Sequence, residues 1–138
     1  MRALKIILIL AVAMAALIGA LGYFGSDHMR VERSIAIAAP VDEVWQHVAT
    51  LSAQDRWSPW NERDPAMKKT IEGDDGAVGA VQRWEGNREV GKGELRITAV
   101  EPHRAVRMRL AFIEPFQNES DVGIELAPEG DGTRATWT

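Results

Sequence analysis

Large apolar side chains are the residues of this sequence best suited to contact a ligand. Trp57 and Trp60 flank a Ser-Pro pair in a predicted loop, and large rings in a loop can line the mouth of a pocket. Four more lie on predicted strand faces that would point to the concave side of a sheet: Trp84, Met108, Leu110 and Phe112. We expect these six residues to line a site for a hydrophobic molecule, although core packing explains them equally well.

Acid–base catalysis has less support in the sequence. Hydrolysis or dehydration needs two ionisable groups that converge within one pocket. Gln82, Arg83 and Glu85 are the candidates on one predicted strand, but no pattern in the sequence brings them together. We therefore assign no catalytic residue.

Metal and cofactor chemistry lacks a motif. The three histidines, His28, His47 and His103, do not pair at the spacing of metal ligands. The sequence contains no cysteine, which rules out thiolate nucleophiles, disulfides and cysteine-bound metals. It also contains no phosphate loop, dinucleotide fingerprint or nucleophile elbow. We predict neither a metal site nor a cofactor.

The charge balance disfavours nucleic acid as a partner. The chain has 16 Lys and Arg against 20 Asp and Glu, a formal net charge of -4, whereas nucleic-acid-binding surfaces are basic. Arg107 and Arg109 share one predicted strand face, where Glu94 or Glu125 could pair with them across a solvated sheet. Binding of an anionic headgroup by these arginines is the alternative.

An apolar segment opens the chain. Residues 6–24 carry no charge, and a helix of that length spans roughly 28 Å, close to the thickness of a bilayer's hydrocarbon core. Because Arg2 and Lys5 precede it, the positive-inside rule predicts a cytoplasmic N-terminus and an exported domain. A cleaved signal peptide is the alternative, since Ala20-Leu21-Gly22 offers small residues for cleavage. We interpret residues 1–28 as an anchor and linker, and residues 29–138 as one domain.

The domain begins with a strand and two helices. Residues 30–38 alternate apolar and polar side chains, which is the period of a strand. Apolar residues after Pro40 recur at helical spacing and predict an amphipathic helix from Val41 to Thr50. A short second helix is predicted from Ser52 to Trp57, ending before Pro59.

The remainder of the domain reads as a series of strands. Glycine-rich turns separate short alternating segments from Ala66 onward, and the clearest strand runs from Arg104 to Phe112. No interval is long enough for a crossover helix, so the pattern predicts an antiparallel meander of six or seven strands. Residues 133–138 are predicted to present an exposed strand edge.

Several segments resemble the polyketide cyclase/dehydrase group of the START-like (SRPBCC) superfamily. The similarity covers residues 29–138 and rests on their order: the strand-to-helix junction Ala39–Trp45 (APVDEVW), the segment Arg56–Trp60 (RWSPW), and Val100–Leu110 (VEPHRAVRMRL). A leading apolar segment also resembles that of bacterial members. The resemblance implies an α+β helix-grip fold, in which a curved antiparallel sheet wraps around a long C-terminal helix and a deep apolar cavity lies between the sheet and the helix.

The resemblance also shapes the expected function. The sequence lacks the family's last helix, and we expect it to be truncated. The implied function is binding of a hydrophobic small molecule or lipid. We expect the domain to lie outside the bacterial cytoplasmic membrane and to be anchored in it through residues 6–24. A cyclase or dehydratase that uses the same cavity is one alternative, and a protein-interaction module with an unknown partner is another.

Overall fold

The computed structural model describes residues 2–24 and 29–138. The chain divides into two units, Met1–Arg30 and Val31–Thr138. In the first unit, helix α1 spans Arg2–Phe24. Its stretch Lys5–Tyr23 has a mean hydropathy of 2.6 and is one candidate membrane span by length and composition. His28, one of the residues discussed above, lies outside the described part of the chain.

The second unit is a seven-stranded antiparallel sheet with three short helices, an α+β arrangement. The helices are α2 (Val41–Val48), α3 (Leu51–Arg56) and α4 (Trp60–Arg63). The strands are β1 (Arg33–Ile37), β2 (Lys68–Glu72), β3 (Val81–Glu85), β4 (Lys92–Glu101), β5 (Ala105–Glu114), β6 (Asn118–Glu129) and β7 (Gly132–Trp137). Their order is β1-β7-β6-β5-β4-β3-β2. The predicted meander is therefore confirmed for β2 to β7, and β1 closes onto the last strand.

That order corrects one expectation. Residues 133–138 do not form an exposed edge, because β7 pairs with β1 on one side and with β6 on the other. A strand that precedes the helices can return to the far end of a meander, and local alternation carries no information about such a long-range pairing. The edges of the sheet are β1 and β2.

Favourable charges and hydrogen bonds stabilise the N-termini of the two principal helices. Pro40 precedes α2, and Asp42 and Glu43 occupy its first turn, where carboxylates favour the helix dipole. Helix α3 begins after Thr50, whose side chain accepts a hydrogen bond from the Ala53 amide at 3.1 Å. Asp75, from the loop between β2 and β3, accepts hydrogen bonds from the amides of Leu51 and Ser52, at 2.7 and 3.2 Å, which would otherwise have no partner within the helix.

A core joins α2 and α3 to one face of the curved sheet. It comprises Val44, Val48, Leu51, Ala80, Ile97, Val106, Met108, Ile124 and Leu126. Full burial of such an aliphatic side chain stabilises the fold by about 1.5–3 kcal/mol. The core therefore fixes the position of α3, and with it the segment that follows α3 over the sheet.

The opposite face of the same strands carries paired charges. The predicted pairing of Arg107 with Glu125 is confirmed, with 2.9 Å between Nη2 and Oε1. Arg109 instead contacts Glu119 at 3.2 Å and Asp121 at 3.0 Å. In the β5–β6 register, which the sequence pattern did not reveal, Asp121 lies opposite Arg109 itself and Glu119 lies opposite Ala111.

Candidate ligand-binding cavity

A cavity of about 420 Å³ lies between the α3–α4 segment and the concave face of strands β2 to β6. Its floor is apolar, with Leu95 of β4, Leu110 and Phe112 of β5, and Val122 of β6. Cross-strand pairing brings Leu95 opposite Leu110, so the antiparallel register builds the floor from residues distant in sequence. The alternation of side chains predicted for β5 places Leu110 and Phe112 on the same face, and both therefore belong to this floor.

Trp84 forms the side wall of the cavity on β3. Its indole N–H donates to the Val90 carbonyl at 2.9 Å, and its ring meets Phe112 edge-on at 5.5 Å between centroids. Gly93 makes room for this ring, because a Cβ there would lie 2.6 Å from the indole. The hydrogen bond, the edge-on contact with Phe112 and the close approach of Gly93 hold Trp84 in one orientation against the cavity.

Trp57 and Trp60 lie at the cavity mouth, each 48% exposed. The Trp57 indole N–H donates to the His47 carbonyl at 2.9 Å, and its ring meets Trp137 edge-on at 6.4 Å. Trp60 is covered by the guanidinium of Arg63 at 5.4 Å, a cation–π arrangement. Both tryptophans are thus fixed by neighbours while a large part of each ring stays open to solvent.

A second cavity, of about 570 Å³, lies between α2 and strands β1, β6 and β7. Ile35, Ile37 and Val48 contribute to its apolar lining. Trp57 and Trp137 line both cavities. The edge-to-face tryptophan pair therefore separates two compartments along one face of the sheet.

A polar cluster interrupts the apolar wall at the β2 end of the first cavity. Lys69 Nζ lies 2.6 Å from Asp55 Oδ1 and also donates to Asn61 Oδ1. Asn61 in turn donates to the Asp55 main-chain carbonyl at 2.6 Å. Asp55 and Lys69 both line the cavity, together with Gln82 of β3.

Sequence reasoning missed Asp55 and Lys69. A signal for the lysine was available, since Met67 and Ile71 flank it at the two-residue spacing of one strand face. A lysine between two apolar residues on one face marks a charge directed inward. The pairing with Asp55 was not accessible, because α3 and β2 meet only in the folded domain.

The structure brings five of the six predicted ligand-contact residues to this cavity: Trp57, Trp60, Trp84, Leu110 and Phe112. Met108 is placed elsewhere. It is 1% exposed and packs in the core beneath the helices, because its position on β5 lies under α2 and α3 and not beside α4. Alternation alone assigns a residue to a face and does not say which part of that face stays open.

The predicted catalytic candidates do not converge. Gln82 lines the cavity, whereas Arg83 contacts Glu94 at 3.5 Å on the other face and Glu85 is exposed at the end of β3. His103 lies 2.9 Å from Asp42. Across the part of the chain that the structure describes, no group of three or more metal-ligating side chains is found.

The seven-stranded curved sheet, the helices across one face and the apolar cavity between them define a helix-grip-like α+β domain. Residues 28–138 match the family model described as "Polyketide cyclase / dehydrase and lipid transport". The chain belongs to this family. No curated protein matches the sequence.

Solved structures share the fold. The Aha1 dimer from Colwellia psychrerythraea matches with a TM-score of 0.56 and 17% identity, over 80% of this chain and 74% of that one. CalU16 from Micromonospora echinospora matches with a TM-score of 0.55 and 23% identity, over 77% of this chain and 56% of that one. DynU16, from the dynemicin biosynthetic locus, matches with a TM-score of 0.54 and 23% identity, over 78% of this chain and 35% of that one.

Proposed function

We propose that residues 29–138 form a binding module for a hydrophobic small molecule or lipid. The observation that carries the proposal is the cavity of about 420 Å³ with an aliphatic floor and tryptophans at its wall and mouth. Ligand sites in proteins fall in the range of about 300–1,000 Å³ and are lined by apolar and aromatic side chains with a few polar groups. Membership of a family that includes lipid transport supports the same function.

The candidate contact residues of the proposed site are Trp57, Trp60, Trp84, Leu110 and Phe112. Each ring offers an extensive apolar face at a low cost in conformational entropy, because hydrogen bonds or ring contacts already fix Trp57 and Trp84. A ligand that enters at the mouth would displace water from apolar surface, which favours binding.

The proposal includes a location. Residues 6–24 anchor the module in the bacterial cytoplasmic membrane, with residues 1–28 as anchor and linker and the domain outside. The supporting observation is the apolar stretch of helix α1 with Arg2 and Lys5 before it. Removal as a signal peptide is the alternative.

Protease treatment of intact spheroplasts tests the location. We expect the full chain to stay with the membrane at its uncleaved mass and its domain to be digested from outside. A shortened mass in the soluble periplasmic fraction would support signal cleavage, and protection of the domain in intact spheroplasts would overturn the export.

Ligand capture tests the binding function. The full chain would be extracted in polymer-bounded native nanodiscs and analysed by native mass spectrometry. The matched control is Leu110→Trp, which fills the cavity with an indole while leaving the convex face unchanged. We expect a hydrophobic molecule bound to the original chain and absent from the variant. An equal ligand content in both, with both folded, would contradict the proposed site.

A second candidate function is a cyclase or dehydratase. Asp55 and Lys69 are two ionisable groups that meet at the wall of one cavity, which is the convergence that acid–base chemistry requires. Incubation with linear β-polyketone substrates, followed by mass spectrometry for cyclisation and loss of water, tests this function. Turnover that disappears in Asp55→Asn would favour it, and no turnover by the original chain would favour binding alone.

A further inference from the structure

The first cavity has two chemically different ends. On its floor, cross-strand pairing joins Lys69 to Trp84, Trp84 to Gly93, and Gly93 to Phe112. This row runs from a charged residue on the edge strand β2 to an aromatic ring on β5. Among the described residues that line the cavity, Asp55 and Lys69 alone are charged, and both belong to the β2 end.

The polar end retains hydrogen-bonding capacity. An ammonium group has three N–H donors, and in the described structure Lys69 uses one on Asp55 and one on Asn61. Asp55 accepts from Lys69 through Oδ1, and a carboxylate has a second oxygen that can accept as well. The Gln82 side-chain amide, one strand along, supplies both a donor and an acceptor to the same cavity.

The charge of the polar end is already balanced. The Lys69 and Asp55 side chains are only 22% and 31% exposed, and their charged atoms lie 2.6 Å apart. An anionic ligand would therefore add an uncompensated negative charge beside the Asp55 carboxylate, in a cavity whose remaining wall is largely apolar. Removing an ion from water without a free counter-ion is strongly unfavourable. An uncharged oxygen meets no such penalty and can use the remaining donor and acceptor.

We infer that the cavity selects an uncharged amphipathic molecule, with a hydroxyl or carbonyl oxygen at the Lys69–Asp55 pair and a hydrocarbon body against Trp84, Leu110 and Phe112. Fatty acids and other anions bind more weakly than the corresponding alcohols or ketones. The inference rests on the proposed binding function and specifies the ligand class of that same site.

Equilibrium dialysis with matched probes tests this selectivity. The full chain in phospholipid nanodiscs would be dialysed against 1-decanol, undecane or decanoate at neutral pH. Decanol and undecane have the same number of heavy atoms, so their difference isolates the oxygen, and decanoate replaces the hydroxyl by a carboxylate. Leu110→Trp in identical nanodiscs gives the background from partition into lipid.

The double variant Lys69→Met/Asp55→Leu removes both charges, so that neither member of the ion pair is left without the other. We expect the original chain to bind decanol about tenfold more tightly than undecane, as for one or two hydrogen bonds gained in a partly buried site, and more tightly than decanoate. In the double variant decanol and undecane should bind equally. The comparison on the original chain decides the matter even where the double variant does not fold.

The outcomes separate the two proposals. Decanoate binding as tightly as decanol, or undecane binding as tightly as decanol, would overturn the selectivity and leave the binding function standing. A preference for decanol that persists in the folded double variant would assign the selectivity to other groups and overturn the role of the pair. Binding of no probe above the Leu110→Trp background would overturn the binding function together with the inference.

Discussion

The two faces of strand β5 differ in almost every property although the same ten residues build both. Met108, Leu110 and Phe112 point to the concave side, where they form core and cavity wall. Arg107 and Arg109 point to the convex side and pair with acidic residues of β6. Alternate side chains of a strand face opposite ways, so a single strand can serve folding and binding on one face and solubility on the other.

The concave face also differs between its two ends. Beneath α2 and α3 the apolar residues are closed off, as at Met108, whereas beside α4 the same kind of residue borders open space, as at Leu110. Two residues separate a stabilising position from a candidate binding position. Substitutions at these two positions and on the convex face should therefore have separable effects.

The largest effect is expected from Met108→Ala. Truncation of a fully buried side chain removes transfer free energy and leaves a cavity, with a cost of about 2–5 kcal/mol. Urea denaturation, monitored by tryptophan fluorescence, measures the loss in the free energy of unfolding. Met108→Leu is the matched control and should cost less than about 1.5 kcal/mol. Full stability in Met108→Ala would show that this part of the concave face is not core.

A smaller effect on stability, with a direct effect on the cavity, is expected from Gly93→Ala. The added methyl group would meet the Trp84 ring and the Ala111 carbonyl, and overpacking of this kind costs about 1–3 kcal/mol. We expect a changed near-UV circular dichroism of the tryptophans and weaker decanol binding.

The control for this substitution is Gly123→Ala on β6. A Cβ there would find its nearest neighbour, the Val106 carbonyl, at 3.3 Å and no indole. It should leave decanol binding unchanged. Equal losses of binding in the two variants would indicate a general effect of glycine replacement in the sheet and would count against the packing of Trp84 on Gly93.

Trp137→Ala tests the division of the concave face into two compartments. Loss of the edge-to-face contact with Trp57 should lower the free energy of unfolding by about 0.5–1.5 kcal/mol, in addition to the effect of the buried area that is lost. Removal of the indole should also join the two cavities. We expect the affinity for 1-hexadecanol to rise relative to 1-decanol in competition dialysis. Trp60→Ala widens only the mouth, since Trp60 does not line the second cavity, so chain-length preference should not change there.

The sequence predicted the face of each residue better than its surroundings. Alternation on β5 and helical spacing on α2 correctly separated the apolar from the polar faces, because both depend on local periodicity. The place of β7 between β1 and β6, the Asp75 cap of α3 and the contact of Lys69 with Asp55 were not predictable. Each of these contacts joins residues that are distant in sequence, and they come together only through the tertiary fold.

The smallest effect is expected on the convex face, from Arg107→Ala. The side chains of Arg107 and Glu125 are 53% and 42% exposed, and a solvated pair of this kind contributes about 0.2–1 kcal/mol. A double-mutant cycle with Glu125→Ala in urea denaturation isolates the pair energy, and salt should reduce it because exposed charges are screened. Decanol binding should stay unchanged in all three variants. A loss of binding from Arg107→Ala would show that the two faces are coupled through the sheet. The assignment of folding and binding to the concave face and of solubility to the convex face would then be wrong.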